Sequence, residues 1–143
     1  MKSLLVFASV LLFADSSVLG AAPEVQTDFY KTLSAATKEK KMAFILLGRP
    51  TCGNCNATKA MIRAGKIPVT AQDYVMGDLN VDDPKTQGEF VRKYAREQFG
   101  NTLPLVVVAD SHGKALASSS GMRSAAEWKT ILQQAKAKAA NTP

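Results

Sequence analysis

Apolar positions over residues 24–40 fall at Val25, Phe29, Leu33 and Ala36, close to a 3.6-residue period, with Lys and Glu between them. That spacing predicts an amphipathic helix. Met42 to Leu47 (MAFILL) is instead a continuous apolar run, with charge before it and Gly48 after it. Its length predicts a strand buried on both faces. Gly48-Arg49-Pro50-Thr51 reads as a loop, and the residues from Cys52 through Ile62 turn helical in character until Gly65 and Pro68 end the helix. Tyr74 to Val81 predicts a second strand. Asp83 then offers an N-cap, and Pro84 suits the first turn of the next helix. Over residues 84–99 that helix is expected to place Phe90, Val91, Tyr94, Ala95 and Phe99 on one face. Leu105 to Ala109, opened by Pro104, predicts a third strand, and Asp110-Ser111-His112-Gly113 a hairpin turn into a shorter fourth at Ala115 to Ser119. Ser124, three residues before Glu127, predicts a capping box. Trp128, Ile131, Leu132 and Ala135 follow as the stripe of a terminal helix, with the tail from Ala137 expected to fray.

The order is helix, strand, helix, strand, helix, strand, strand, helix. Strands alternating with helices imply right-handed crossovers and an α/β fold, a central mixed four-stranded sheet with helices on both faces. The hairpin adds one antiparallel pair. With 143 residues, 46% of them apolar, the chain can build one core without staples. It shows no repeat and no linker that would divide it.

The beginning of the chain differs from the rest. Lys2 precedes an apolar run from Leu4 to Ala14 broken only by Ser9, and the small residues Gly20, Ala21 and Ala22 follow. This is the pattern of a secretory signal peptide over residues 1–22, cleaved after Gly20 or Ala22. The run is too short to span a bilayer core, which needs roughly 20 apolar residues. No Cys stands near the cut to carry a lipid, so no stable membrane anchor is expected after cleavage. Residues 23–143 would then form the domain, in the periplasm or secreted. Removing the peptide takes one charge of each sign and leaves the balance at +6. The Lys and Arg residues are scattered, with no aromatic residues interleaved, so nucleic acid is not the expected partner.

Cys52-Gly53-Asn54-Cys55 lies just past the first predicted strand, at the start of a helix. A helix N-terminus presents free N–H groups and a positive dipole end, which stabilise a thiolate. Cys52 at the exposed lip would attack, and Cys55, one turn on and half-buried, would resolve the mixed disulfide. Other readings compete. A structural disulfide over so short a loop would constrain little. A zinc site needs four ligands, and the chain offers two Cys and His112. The pair could also be an inert copy. The strand–CxxC–helix setting favours redox chemistry.

Here the sequence resembles the thioredoxin family, and specifically its exported bacterial thioredoxin-like members, over about residues 24–140. FILLGRPTCGNC is similar to the family's strand followed by CxxC, LNVDDPKTQGEFVRKY to its strand ending in N-x-D before a helix, and TLPLVVVADSHGKAL to its apolar strand and hairpin. The resemblance implies a thioredoxin-like fold and a thiol–disulfide oxidoreductase of open direction. Its site would have Cys52 and Cys55 as the catalytic pair and as a Cys52–Cys55 disulfide, with Thr51, Gly53, Asn54, Leu103 and Pro104 against the substrate. It implies that Pro104 is cis beside the dithiol and that Leu103 pairs by backbone with the substrate strand. Partners would be protein thiols and disulfides and a redox partner that recycles the dithiol. A monomer with no cofactor and no metal is expected. The alternative is a non-catalytic module of the same fold that binds copper or a partner protein through the same loop.

The chain departs from the family at four positions. Thr51 stands for the usual Trp, Asn54 for Pro, Leu46 for a buried acid and Ala60 for a helix-kinking Pro. Without the acid, deprotonation of Cys55 is expected to rely on water or substrate. Arg49 reads equally as a charge that lowers the Cys52 pKa and as a surface residue. His112 reads as a solvated turn residue. Met42, Met61, Met76 and Met122 read as core filler rather than copper ligands. Asn56-Ala57-Thr58 matches a glycosylation sequon that sits on the dithiol helix, and it is set aside.

Overall fold

The computed structural model describes residues 20–142; the predicted signal segment lies almost entirely outside them. Strand β1 (Val25–Gln26) leads into helix α1 (Phe29–Glu39) and strand β2 (Met42–Gly48). Helix α2 (Gly53–Arg63), strand β3 (Tyr74–Asn80) and helix α3 (Pro84–Lys93) follow, then strands β4 (Leu105–Ala109) and β5 (Ala115–Ser120) and helix α4 (Ala125–Ala140). The sheet is mixed, in the order β1-β3-β2-β4-β5. β2 runs parallel to β3 and antiparallel to β4, and the hairpin pairs β4 with β5. Two antiparallel pairs therefore replace the one expected from the hairpin alone.

The fifth strand corrects the expected four. The helical period takes in Val25 and Gln26, but they pair parallel with Met76 and Gly77 at the sheet edge. The helix begins later because Asp28 caps it, its Oδ1 accepting the Lys31 N–H at 2.8 Å. Val25 matched the helical period by coincidence and is 47% exposed. Periodicity also overextended α3. Phe90 and Tyr94, four residues apart, face inward and meet Phe29 edge-on at 6.2 and 6.0 Å. Val91, about 100° further round the helix, is 52% exposed. Ala95 is exposed too, beyond the helix's last residue, Lys93. The C-terminal helix errs the other way and continues to Ala140, past the point where fraying was expected.

Other elements form where their local chemistry placed them. Asp83 accepts N–H groups from Lys85 and Thr86 at the start of α3, with Pro84 first in the helix. Ser124 and Glu127 close a reciprocal capping box, with bonds of 3.2 and 2.7 Å. β2 sends Phe44 and Leu46 to one face and Ala43, Ile45 and Leu47 to the other, and all five are fully buried. Fully burying one large aliphatic side chain contributes about 1.5–3 kcal/mol, so this strand anchors both layers. Helices α2 and α4 cover the Phe44/Leu46 face, where Trp128 packs on Phe44 at 5.3 Å. Helices α1 and α3 cover the other. α1 crosses β3 at Gly77, where a Cβ would stand 3.0 Å from Thr32.

Candidate active site

The C-terminal end of β2 delivers the chain directly into the dithiol. Gly48 closes the strand, its carbonyl accepting the Val81 N–H at 2.7 Å. The loop then turns at Arg49–Thr51, with Cys52 N–H bonded to Arg49 O at 3.1 Å and the Asn56 amide donating to Pro50 O at 3.0 Å. Cys52 is the N-cap of α2 and Cys55 lies in its first turn; the two form a disulfide with Cα atoms 5.2 Å apart.

The two sulfurs have different surroundings. Cys52 is partly exposed, and its Sγ accepts the Cys55 backbone N–H at 3.1 Å. A helix-end N–H aimed at sulfur favours the thiolate once the bond is reduced. Cys55 is fully buried rather than half-buried as expected. Its sulfur lies against the backbone of Gly48, where a Cβ would come within 2.6 Å of Sγ. Only a residue without a side chain leaves room there.

Around Cys52 the surface is open. Thr51, Gly53 and Asn54 are exposed, and a Cβ built on Gly53 meets nothing within 4 Å. The loop before β4 comes alongside: Leu103 packs on the same cluster as Cys52, and the Asn54 amide lies 3.4 Å from the Leu103 carbonyl oxygen. Pro104 is buried, and the Leu103–Pro104 peptide is cis. The fold thus brings Thr51, Cys52, Gly53, Asn54, Cys55, Leu103 and Pro104 to one end of the sheet.

Asp78 escaped the sequence reading. It pairs in register with Leu46, so its side chain leaves the sheet on the α2 side. There it meets Lys59 of α2 at 2.9 Å, both side chains mostly buried. An acid thus stands on the strand next to Leu46, paired with Lys59. The signal was a lone charge inside the apolar strand YVMGDLN. Asp78 and Lys59 line a cleft of about 280 Å³ together with Arg49, Asn56 and Asn80. Arg49 is turned to Asp82 at 2.9 Å, an exposed pair.

The remaining candidates lie elsewhere or play other parts. His112 is exposed at the hairpin tip, its Nδ1 3.3 Å from Ser111 Oγ. Met76 is core, while Met122 is 45% exposed and so is not filler. Met122 follows Gly121, whose N–H bonds Pro104 O at 2.9 Å. The sequon's Thr58 is fully buried and donates to Asn54 O. Among the described residues no cluster of three or more His, Cys, Asp or Glu is placed to hold a metal ion.

No family model matches the chain, and no curated protein matches it in sequence. Solved structures do match in fold. An uncharacterized thioredoxin-like protein from Clostridium perfringens superposes with a TM-score of 0.61 at 16% identity, covering 90% of this chain and 94% of its own. Chloroplastic thioredoxin z matches at 0.58 and 17% identity, over 81% of this chain and 96% of its own. Thioredoxin O2 from Arabidopsis thaliana, in its oxidized state, matches at 0.55 and 17%, over 80% and 94%. The chain has the thioredoxin-like fold, with its CxxC-spaced pair at the start of α2.

Proposed function

We propose that this protein is an exported thiol–disulfide oxidoreductase that exchanges disulfides with protein partners through Cys52 and Cys55. The observation that carries the reading is the asymmetry of the pair: Cys52 is reachable and hydrogen-bonded by a helix-end N–H, while Cys55 is buried behind it. Export rests on the sequence pattern of residues 1–22.

In one direction a partner thiolate attacks Cys52 Sγ. The Cys52–Cys55 bond breaks, its electron pair passes to Cys55 Sγ, and that sulfur takes up a proton. A second partner thiolate then attacks the partner's sulfur in the mixed disulfide, which leaves Cys52 as thiolate and the partner oxidised. In the other direction the Cys52 thiolate attacks a partner disulfide and expels one partner thiolate. Cys55 loses its proton and attacks Cys52 Sγ, which restores the internal disulfide and frees the reduced partner. Asp78, paired with Lys59 on the α2 side of the sheet, is the candidate acceptor for the Cys55 proton. The direction follows from the potential of the pair against its compartment, each 30 mV being about 1.4 kcal/mol.

The test is the equilibrium of the Cys52–Cys55 pair with glutathione, together with insulin reduction by the same preparation and fractionation of cells expressing the full chain. Reversible exchange in an exported fraction is expected. Stoichiometric retention of Cu(I) with no exchange would assign the protein to the non-catalytic, metal-binding alternative.

A further inference from the structure

The loop between α3 and β4 carries backbone groups that no strand uses. Among the described residues, neither the N–H nor the carbonyl of Leu103 has a backbone partner, although Leu103 is partly buried against the same core cluster as Cys52. Pro104, which follows, already accepts from Gly121. An extended polypeptide lying across Cys52 would meet at Leu103 a carbonyl without a backbone partner, and polar backbone that becomes covered needs one. In this structure that carbonyl is occupied. The Asn54 amide crosses from the first turn of α2 and donates to it at 3.4 Å.

The bond is longer than the usual N–H···O range of 2.7–3.2 Å, so it is weak. Both ends are reachable from solvent, and Asn54 does not need the contact to satisfy its amide. Asn is also a poor helix former, so its place in the first turn of α2 gains little from local propensity. Its backbone carbonyl accepts from Thr58 Oγ1, a bond that any residue at position 54 would keep.

We infer that the Asn54 side chain is a displaceable latch over the Leu103 carbonyl, which an extended polypeptide partner must open and a small thiol need not. This inference rests on the exchange reading above and adds a selectivity to it. The latch taxes partners in proportion to their use of the Leu103 backbone, and it leaves attack at Cys52 Sγ itself untouched. Asn54 is on this account a positioning residue and not part of the reacting pair.

The experiment uses the oxidised protein and two attacking thiols: a linear peptide bearing one cysteine, and 2-mercaptoethanol, which has no peptide backbone. The quantity read is the ratio of their rate constants for opening the Cys52–Cys55 disulfide, because a change in redox potential or thiol pKa acts on both. Asn54→Ala and Asn54→Asp, neither of which can donate to a carbonyl, are each expected to raise the peptide-to-mercaptoethanol ratio about twofold, the low end for one hydrogen bond. A peptide N-methylated on both sides of its cysteine should show no such rise. An unchanged or lowered ratio in both variants overturns the latch, as does an equal rise with the methylated peptide. Failure of the wild-type disulfide to react with either thiol would instead remove the exchange reading, and the latch with it.

Discussion

Gly48 and Cys55 touch: a methyl group on Gly48 would sit 2.6 Å from the Cys55 sulfur and 3.1 Å from its Cβ. The sulfur is held by its bond to Cys52, so it cannot move aside as a free side-chain end would. Gly48→Ala is therefore expected to destabilise the oxidised protein by about 1–3 kcal/mol, the usual cost of overpacking. The reduced protein, in which Cys55 can rotate, should lose less. Denaturant unfolding of both redox forms measures the difference; equal losses would mean that the contact is relieved by backbone movement instead.

The two cysteines should separate cleanly in trapping. Cys55→Ala keeps the reachable sulfur and removes the resolving one, so it should accumulate mixed disulfides through Cys52. Cys52→Ala leaves only a fully buried thiol and should trap few partners. Non-reducing gels of both variants from the same cells decide the matter. Equal trapping would reverse the roles assigned to the pair.

Asp78→Asn keeps the shape of the Lys59 contact and removes its charge. If Asp78 takes the Cys55 proton, resolution of a preformed mixed disulfide should slow by about tenfold, less than the roughly hundredfold or more of a directly placed general base. The first attack by Cys52 should keep its rate. Stopped-flow measurement of the two steps, each across pH, distinguishes this from a structural effect. A loss of stability that slowed both steps alike would leave the ion pair a merely structural one.

Alkaline stability should depend on two buried tyrosines. Burial, aided by the charge of Asp73, pushes the Tyr74 hydroxyl up to about 12. Burial also raises Tyr94, helped by Asp110 and Glu97. An unfolded tyrosine titrates near 10, so above about pH 10 the unfolded chain ionises first. The stability these groups contribute is whole below that pH and is lost as pH rises towards the folded values, by up to about 1.4 kcal/mol per unit for each group. Tyr74→Phe should flatten that loss at little cost near neutrality. Tyr94→Phe should also cost about 1 kcal/mol there, because it breaks the 3.2 Å bond to Gly113 O. Unfolding midpoints at about pH 8 and about pH 11 test both. A slope identical in all three proteins would assign the alkaline loss to other groups.

What the sequence determined by itself was whatever is local. Asp83-Pro84 and Ser124-x-x-Glu127 define helix starts within one turn of chain, so their caps stand where they were expected. The continuous run MAFILL had the length of a strand covered on both sides, and CGNC after it put both sulfurs at the start of a helix. Pairing between distant segments was beyond such reasoning. Val25 satisfied a helical period, yet it pairs with Met76, because the edge of β3 offers hydrogen bonds that only assembly creates. Asp78 gained its place beside Leu46 from the parallel register of β2 with β3, and Gly48 gained its necessity from the sulfur packed on it. Asn54 could be read as a departure from a motif, but its reach to Leu103 spans 49 residues of chain. A residue's period and capping chemistry are written within a few neighbours, whereas its register and contacts depend on how separate segments share one core, and that only the folded chain decides.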